Sequence, residues 1–259
     1  MATAAVDGAG LHYEVAGEGP ALLLSHGFGA TGRMWDGQRQ AFADRWRVIA
    51  WDMRGHGETE SPDEPTRYST DHTVADMRAL LGHLGIRRGV IGGLSLGGYV
   101  SLAFHAAHPE MVRALVICDS GPGYRNAEAR AAWNERAFRR AAELESRGLD
   151  ALAGSSREMR DAVRHHRSAK WLALAARGML AQQDGRVIET LPAIRVPTLI
   201  IVGDKDEPFL APCRYMAGKI PGARLEVIAG AGHSANLDQP EAFNRVLGDF
   251  LAALPPDPA

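Results

Sequence analysis

Gly92-Gly93-Leu94-Ser95-Leu96-Gly97-Gly98-Tyr99-Val100 follows the apolar pair Val90-Ile91 and leads into Val100, Ala103, Phe104 and Ala107 at helical spacing. Glycine has the most backbone freedom to lose on ordering and weakens strands and helices alike. Four of them at a strand-to-helix junction therefore need a local reason. Gly93-Leu94-Ser95-Leu96-Gly97 fits G-x-S-x-G, in which a sharp, strained turn raises a serine hydroxyl above the end of a sheet. A Cβ at either flanking position would collide with the crossing backbone. The bare pattern also arises by chance in a chain with 29 glycines, and a tight polar loop would account for it. The apolar strand before it and the amphipathic helix after it favour the turn. Gly98 is read as letting the helix pack close to the sheet, and the turn assigns no role to Gly92.

The same alternation extends along the chain. Val6-Asp7-Gly8 before Leu11-His12-Tyr13-Glu14-Val15 reads as a hairpin with an Asp-Gly turn. Ala21–Leu24, Arg47–Trp51, Ala114–Cys118, Thr198–Val202 and Leu225–Ile228 are short apolar runs, as expected of strands covered on both faces. Val74, Met77, Leu81 and Leu84 repeat at helical spacing up to Gly85, a helix stop, and Ala242, Val246, Asp249 and Phe250 repeat near the C-terminal end. Strands alternating with helices imply right-handed crossovers and a mostly parallel sheet, an α/β architecture.

One stretch breaks the alternation. Residues 120–190 show only helical patterns: Trp133, Ala137, Ala141 and Leu144; Met159, Ala162, Val163 and His166; and Trp171, Leu172, Ala175 and Met179. Ser155 and Glu158 are spaced as a capping box. The expected organisation is one domain over 1–259, with a core of 1–119 and 191–259 and an all-helical lid, 120–190, inserted between two strands. The tail Pro255-Pro256-Asp257-Pro258 is expected to fray.

Composition narrows the function. At 259 residues, with 46% apolar and 23% charged residues, the chain is an ordinary globular one. A net charge of −2 offers nucleic acid no uniformly basic surface. No run approaches the ~18 apolar residues of a membrane span, and the first residues carry no secretory pattern. Two cysteines, Cys118 and Cys213, make no disulfide framework and fit a reduced, cytoplasmic protein.

A serine hydroxyl needs a base to become a nucleophile. Of ten histidines, His12, His72, His83, His105 and His108 lie on strands or helices as surface or satisfied groups, and His165-His166 lies among arginines as a solvated face. His233 differs, because Ala229-Gly230-Ala231-Gly232-His233-Ser234 is a glycine-flexed loop at the end of the last strand. From there an imidazole can reach the end of another strand. The acid that orients it comes from Gly203-Asp204-Lys205-Asp206-Glu207-Pro208 or from Asp119. Asp206 is far enough past its strand to turn back, Asp204 sits where it would serve the turn, and Asp119 follows the strand ending at Cys118. Ser25-His26-Gly27-Phe28-Gly29 could supply an oxyanion hole from the Phe28 N–H, paired with that of Leu96. One such donor is typically worth ~3–4 kcal/mol in the transition state.

Taken in order, His26-Gly27-Phe28-Gly29, Asp52-Met53-Arg54-Gly55-His56-Gly57, the Ser95 turn, Gly203-Asp204-Lys205-Asp206 and Gly232-His233 resemble the markers of the α/β-hydrolase fold superfamily over the whole chain. The resemblance implies a mostly parallel twisted sheet flanked by helices and the catalytic set Ser95, Asp206 and His233. It further implies that Asp52, Arg54 and His56 form a structural loop, and that the chemistry needs no metal or organic cofactor.

Serine at the elbow argues against epoxide hydrolases and haloalkane dehalogenases, which carry aspartate there. Ser234 after the histidine counts against carbon–carbon bond hydrolases of ring-cleavage products, which commonly carry tryptophan. The ending His233-Ser234-Ala235-Asn236-Leu237-Asp238-Gln239-Pro240-Glu241 looks similar to 3-oxoadipate enol-lactonases and small bacterial carboxylesterases. The expectation is a hydrolase of small-molecule esters or lactones, with a carbon–carbon bond hydrolase or a ligand-sensing receptor on the same fold as alternatives. Residues 120–190 carry 13 Lys/Arg against 9 Asp/Glu in a chain of net charge −2. A basic lid would draw anionic substrates, although arginines also simply solvate outer helix faces. Trp133, Phe138, Trp171 and Met179 are candidates for lid core or cavity wall.

Overall fold

The apolar runs at 21–24, 47–51, 114–118 and 198–202 become strands whose residues point alternately into two separate layers of core. The run at 225–228, expected to be covered on both faces, instead forms the sheet's edge strand and leaves Val227 45% exposed. The computed structural model describes residues 2–256, so Asp257 and Pro258 of the proline-rich tail lie outside the described residues. The strands are β1 (Ala2–Val6), β2 (Ala9–Ala16), β3 (Ala21–Ser25), β4 (Arg47–Trp51), β5 (Gly89–Leu94), β6 (Val112–Cys118), β7 (Thr198–Gly203) and β8 (Arg224–Ile228). They form one sheet in the order β1-β2-β4-β3-β5-β6-β7-β8. β1 and β2 are the antiparallel hairpin, turned by Asp7 (φ 39°) and Gly8 (φ 75°), and β3 to β8 run parallel.

The helices are α1 (Asp36–Phe42), α2 (Thr70–His83), α3 (Leu96–Ala107), α4 (Ala127–Arg147), α5 (Arg157–Ala162), α6 (Ala169–Ala175), α7 (Arg186–Thr190), α8 (Glu207–Lys219), α9 (Ala235–Asp238) and α10 (Pro240–Ala252). On one face, Leu23, Ile49, Ile91 and Leu115 pack with Met77 and Leu80 of α2, Val100 and Phe104 of α3 and Met216 of α8. On the other, Leu22, Leu24, Val48, Val90 and Val116 pack with Trp35, Phe42 of α1 and Phe243 and Leu247 of α10. Helix α2 ends at its glycine, with Gly85 at φ 69°. Periodicity identifies neither α1 nor α8, since α1 is short and α8 carries Pro208 in its first turn and Pro212 inside it.

Helices α4 to α7 all fall between β6 and β7, and no strand is found in that interval among the described residues. Asn126 caps α4 by accepting from the Ala129 N–H at 2.9 Å, and Ser168 caps α6 by accepting from the Trp171 N–H at 3.2 Å. The capping box expected of Ser155 and Glu158 does not form. Helix α5 starts at Arg157 with Ser156 before it, and the Glu158 side chain turns inward, where it accepts hydrogen bonds from the hydroxyls of Ser156 and Ser234.

The register places the functional ends together. Ser25 of β3 pairs with Gly93 of β5, Leu94 with Cys118 of β6, Cys118 with Ile201 of β7, and Gly203 with Ile228 of β8. The loops leaving these five parallel strands therefore gather on one edge, where open α/β sheets bind ligands.

Candidate active site

Ser95 stands between β5 and α3 with φ 54° and ψ −114°, a conformation that a residue with a side chain rarely adopts. The bend is held from both sides. The Ser95 N–H donates to Cys118 O at 2.9 Å, and Ser95 O accepts from the Ser120 hydroxyl at 2.7 Å and the Tyr99 N–H at 3.0 Å. A Cβ on Gly93 would lie 2.5 Å from Ser25 O, and one on Gly97 would lie 2.6 Å from Ser25 C and 2.7 Å from His26 O. Both flanking glycines are clearance for the backbone leaving β3. Gly92 has the same explanation one strand over, since a Cβ there would stand 2.7 Å from Val116 O on β6. At Gly98 the crowding group is Ser120, whose Cβ would be 2.7 Å away, so the close approach there is to the β6 exit.

The loop after β3 backs onto this turn. A Cβ on Gly27 would lie 3.5 Å from Ser95 Cβ and 3.6 Å from Leu94 O, which sets the Gly27 backbone against the serine turn. His26 fixes the loop: its Nε2 accepts from the Met53 N–H at 2.9 Å and its Nδ1–H donates to Gly27 O at 2.7 Å. Only neutral imidazole can do both. Burial pushes His26 down to about 4, which keeps it neutral. His166, expected on a solvated face, is buried. Its Nδ1 accepts from the Gly57 N–H at 3.0 Å and its Nε2–H donates to Gly29 O at 2.8 Å. It joins the helical segment to the same loop, a contact that the surrounding arginines conceal in the sequence.

His233 lies on the loop after β8 with its side chain 21% exposed, and its Nδ1 is 2.8 Å from Asp206 Oδ2. The Phe209 ring covers the imidazole at 4.9 Å between centroids. Burial alone would lower the imidazole; the hydrogen bond and charge of Asp206, with Glu158 and Asp119 behind it, outweigh burial and raise it above its ordinary value. The other two candidate acids have different partners. Asp204 accepts from the Gly230 N–H at 2.8 Å and braces the turn after β8. Asp119, at φ 44° and fully buried, accepts from the Gly203 N–H at 2.8 Å and the Ala235 N–H at 3.3 Å. Burial pushes its carboxyl up to about 8.

Ser95 opens into a cavity of about 290 Å³ whose walls include Leu96, Tyr99, Ser120, Trp133, Arg136 and Phe209. Of the four side chains proposed as lid core or cavity wall, Trp133 lines this cavity, with its indole N–H on Leu180 O at 2.8 Å. Met179 is fully buried core, Phe138 is 44% exposed, and the Trp171 indole donates to Asp63 at 2.7 Å near the surface. Tyr99 and Ser120 have no signal in the sequence beyond their nearness to the elbow and a strand exit. A second cavity of about 440 Å³ lies between α2, α3 and α7, and Tyr99 lines both. No cluster of His, Cys, Asp and Glu among the described residues could hold a metal ion.

The Asp52–Gly57 loop is built of backbone and ion-pair contacts. Asp52 accepts from the Gly32 N–H at 2.7 Å and the Glu58 N–H at 2.8 Å, and Arg54 makes a buried two-pronged pair with Asp76 at 2.6 and 2.9 Å. His56 lies between His26 and His166 at centroid distances of 4.8 and 6.1 Å, its ring tilted to the first and edge-on to the second. No helix among the described residues is long and apolar enough to cross a membrane.

Residues 22–246 match the alpha/beta hydrolase family. The chain is 30% identical to 3-oxoadipate enol-lactonase 2 of Acinetobacter baylyi over 92% of its own length and 91% of the relative's. It is 29% identical to a putative 2-succinyl-6-hydroxy-2,4-cyclohexadiene-1-carboxylate synthase of Bacillus subtilis, covering 95% and 96% of the two chains. The crystal structure of the enol-lactonase from Burkholderia xenovorans superposes with a TM-score of 0.83 at 28% identity, covering 96% of this chain and 99% of that one. A strained serine between strand and helix, a histidine–aspartate pair on the neighbouring strand ends and this full-length match lead to one assignment: the chain belongs to the alpha/beta hydrolase family.

Proposed function

We propose that the chain is a serine hydrolase that cleaves carboxylic esters or lactones of small molecules through Ser95, His233 and Asp206. The observation that carries this reading is the 2.8 Å contact between His233 Nδ1 and Asp206 Oδ2. It leaves Nε2 as the nitrogen available for a serine proton. Ser95 Oγ attacks the carbonyl carbon while His233 takes its proton, and the N–H groups of Phe28 and Leu96 stabilise the oxyanion. Collapse of that intermediate breaks the acyl–oxygen bond, and His233 returns the proton to the departing alkoxide. In a lactone that alkoxide remains tethered to the acyl group. Water, deprotonated by His233, then releases the acid and restores Ser95.

Residues 120–190 act as a lid over this site in the proposal, because Trp133 and Arg136 of α4 form part of the cavity wall. The Arg136 side chain makes no hydrogen bond or ion pair among the described residues, which favours a substrate bearing a carboxylate. That preference agrees with the enol-lactonase names among the relatives. Two buried thiols, both free, support a cytoplasmic setting.

The test is hydrolysis of p-nitrophenyl acetate and of a carboxylate-bearing enol-lactone by wild type and Ser95→Ala. Loss of turnover in the variant is expected, and a retained rate overturns the reading.

A further inference from the structure

Glu158 is a carboxyl group that the proposed reaction does not use, yet it is 2% exposed and lies beside the catalytic loop. It comes from α5 in the helical segment, far in sequence from β8. One oxygen accepts from the Ser156 hydroxyl and the other from the Ser234 hydroxyl. Ser234 is itself 2% exposed and directly follows His233. The residue before Glu158 grips the same loop, since Arg157 donates to Leu237 O at 2.9 Å and pairs with Asp238 at 3.5 Å. Asp238 in turn accepts from the Gly232 N–H at 2.9 Å. Both flanks of His233 are thus tied to α5.

We infer that Glu158 is a positioning residue for His233, acting through the Ser234 hydroxyl to hold the histidine loop in register with the helical segment. The inference rests on the proposed hydrolase reading. A carboxyl group with both oxygens accepting from hydroxyls is locked in direction, and a group that locks a catalytic side chain contributes to rate without touching substrate. The cost of burying it is met by those two hydrogen bonds. The titratable groups facing His233 are Asp206 from the loop before α8, Asp119 from the exit of β6, whose carboxyl burial pushes up to about 8, and Glu158 from α5. Arg33, Asp36, Asp161, Arg164 and His165 line the cavity of about 270 Å³ on the far side of Glu158.

The experiment compares Glu158→Gln, Ser234→Ala and the double variant by steady-state kinetics on p-nitrophenyl acetate, thermal melting, and NMR titration of the His233 imidazole. Glu158→Gln is expected to lower kcat roughly tenfold with KM within about twofold, the range of a slightly misplaced catalytic group. Its His233 titration moves to lower pH, because a carboxyl group that raises the imidazole has been replaced by a neutral amide. Ser234→Ala is expected to lower kcat similarly while its titration stays near that of wild type. The double variant is no slower than Glu158→Gln, as two links of one tether are not additive. A lowered melting temperature with wild-type kcat in both single variants overturns the inference, as does an unmoved His233 titration in Glu158→Gln. If the wild type fails to turn over the ester, the hydrolase reading falls, and the NMR titration still decides whether Glu158 acts on His233.

Discussion

His233 Nδ1 lies 2.8 Å from Asp206 Oδ2, whereas Asp204, two residues earlier on the same loop, holds the Gly230 N–H at 2.8 Å. The two carboxylates differ little in sequence context and entirely in partner. Asp206→Asn is therefore expected to lower kcat by roughly 10³- to 10⁴-fold, because an amide that donates to Nδ1 enforces the wrong tautomer. Asp204→Asn is expected to stay within about tenfold of wild type and to change stability little, since the amide oxygen still accepts from the Gly230 N–H and only the charge of the acceptor is lost. Steady-state kinetics with thermal melts of both variants check the pair, and a larger rate loss for Asp204→Asn contradicts the assignment.

The pH profile follows from the same contact. In the proposed reaction His233 must be neutral to accept the Ser95 proton, and its carboxyl neighbours raise it above its ordinary value. kcat/KM is expected to fall as pH drops through a midpoint above the ordinary imidazole value of about 6.5. In Asp206→Asn the residual activity has its midpoint at lower pH. A wild-type midpoint below 6 in a pH–rate profile contradicts the expectation.

Tyr99 separates the cavity of about 290 Å³ at Ser95 from the cavity of about 440 Å³ between α2, α3 and α7. Its ring is buried at 8% exposure, and Thr70 lines the second space. Val74, Ala103 and Val187 give that space an apolar floor. Tyr99→Ala is expected to join the two and to shift preference along a p-nitrophenyl ester series from acetate toward medium-chain acyl groups. Each methylene newly buried there is worth ~0.8 kcal/mol, about fourfold in kcat/KM. An unchanged chain-length profile in a folded Tyr99→Ala protein contradicts this role.

Stability in acid depends on buried histidines other than His233. His26 titrates near its ordinary value when unfolded and at about 4 when folded, because burial disfavours its charged form. Between those limits the unfolded state binds more protons, so stability is complete above about pH 6.5 and is lost as pH falls toward 4, by ~3 kcal/mol for this group. His166 and His56, also lowered by burial, add to the loss. Denaturant unfolding at pH 7, 5.5 and 4.5 should show it, and a flat stability over that range contradicts it. A His26→Gln protein should show a shallower slope, since that side chain does not titrate.

The strand runs, the hairpin, the Gly85 helix stop and the glycine-flanked Ser95 are all legible in the chain because their causes are local. A strand buried on both faces must be apolar throughout, and a turn this tight excludes side chains at fixed offsets from its serine. Gly92 has no such local cause. Its partner is Val116 O on a strand that arrives more than twenty residues later. The capping-box spacing of Ser155 and Glu158 is a local signal that loses to a tertiary one, since the carboxyl group finds Ser234 across the fold. His166 is similar, reading as one more polar residue among arginines until Gly29 and Gly57 are brought to it.

The α/β order of elements, the position of the candidate nucleophile and the loops that could supply its partners can all be read from the chain. Which carboxylate meets His233, which aromatic side chain walls the cavity and how the helical segment is tied to the histidine loop emerge once the strands and loops are assembled. The physical reason is range. Backbone clearance and burial act between neighbours and leave a fixed spacing in the chain, whereas hydrogen-bond partners are set within an ångström by strands and loops that lie far apart in sequence.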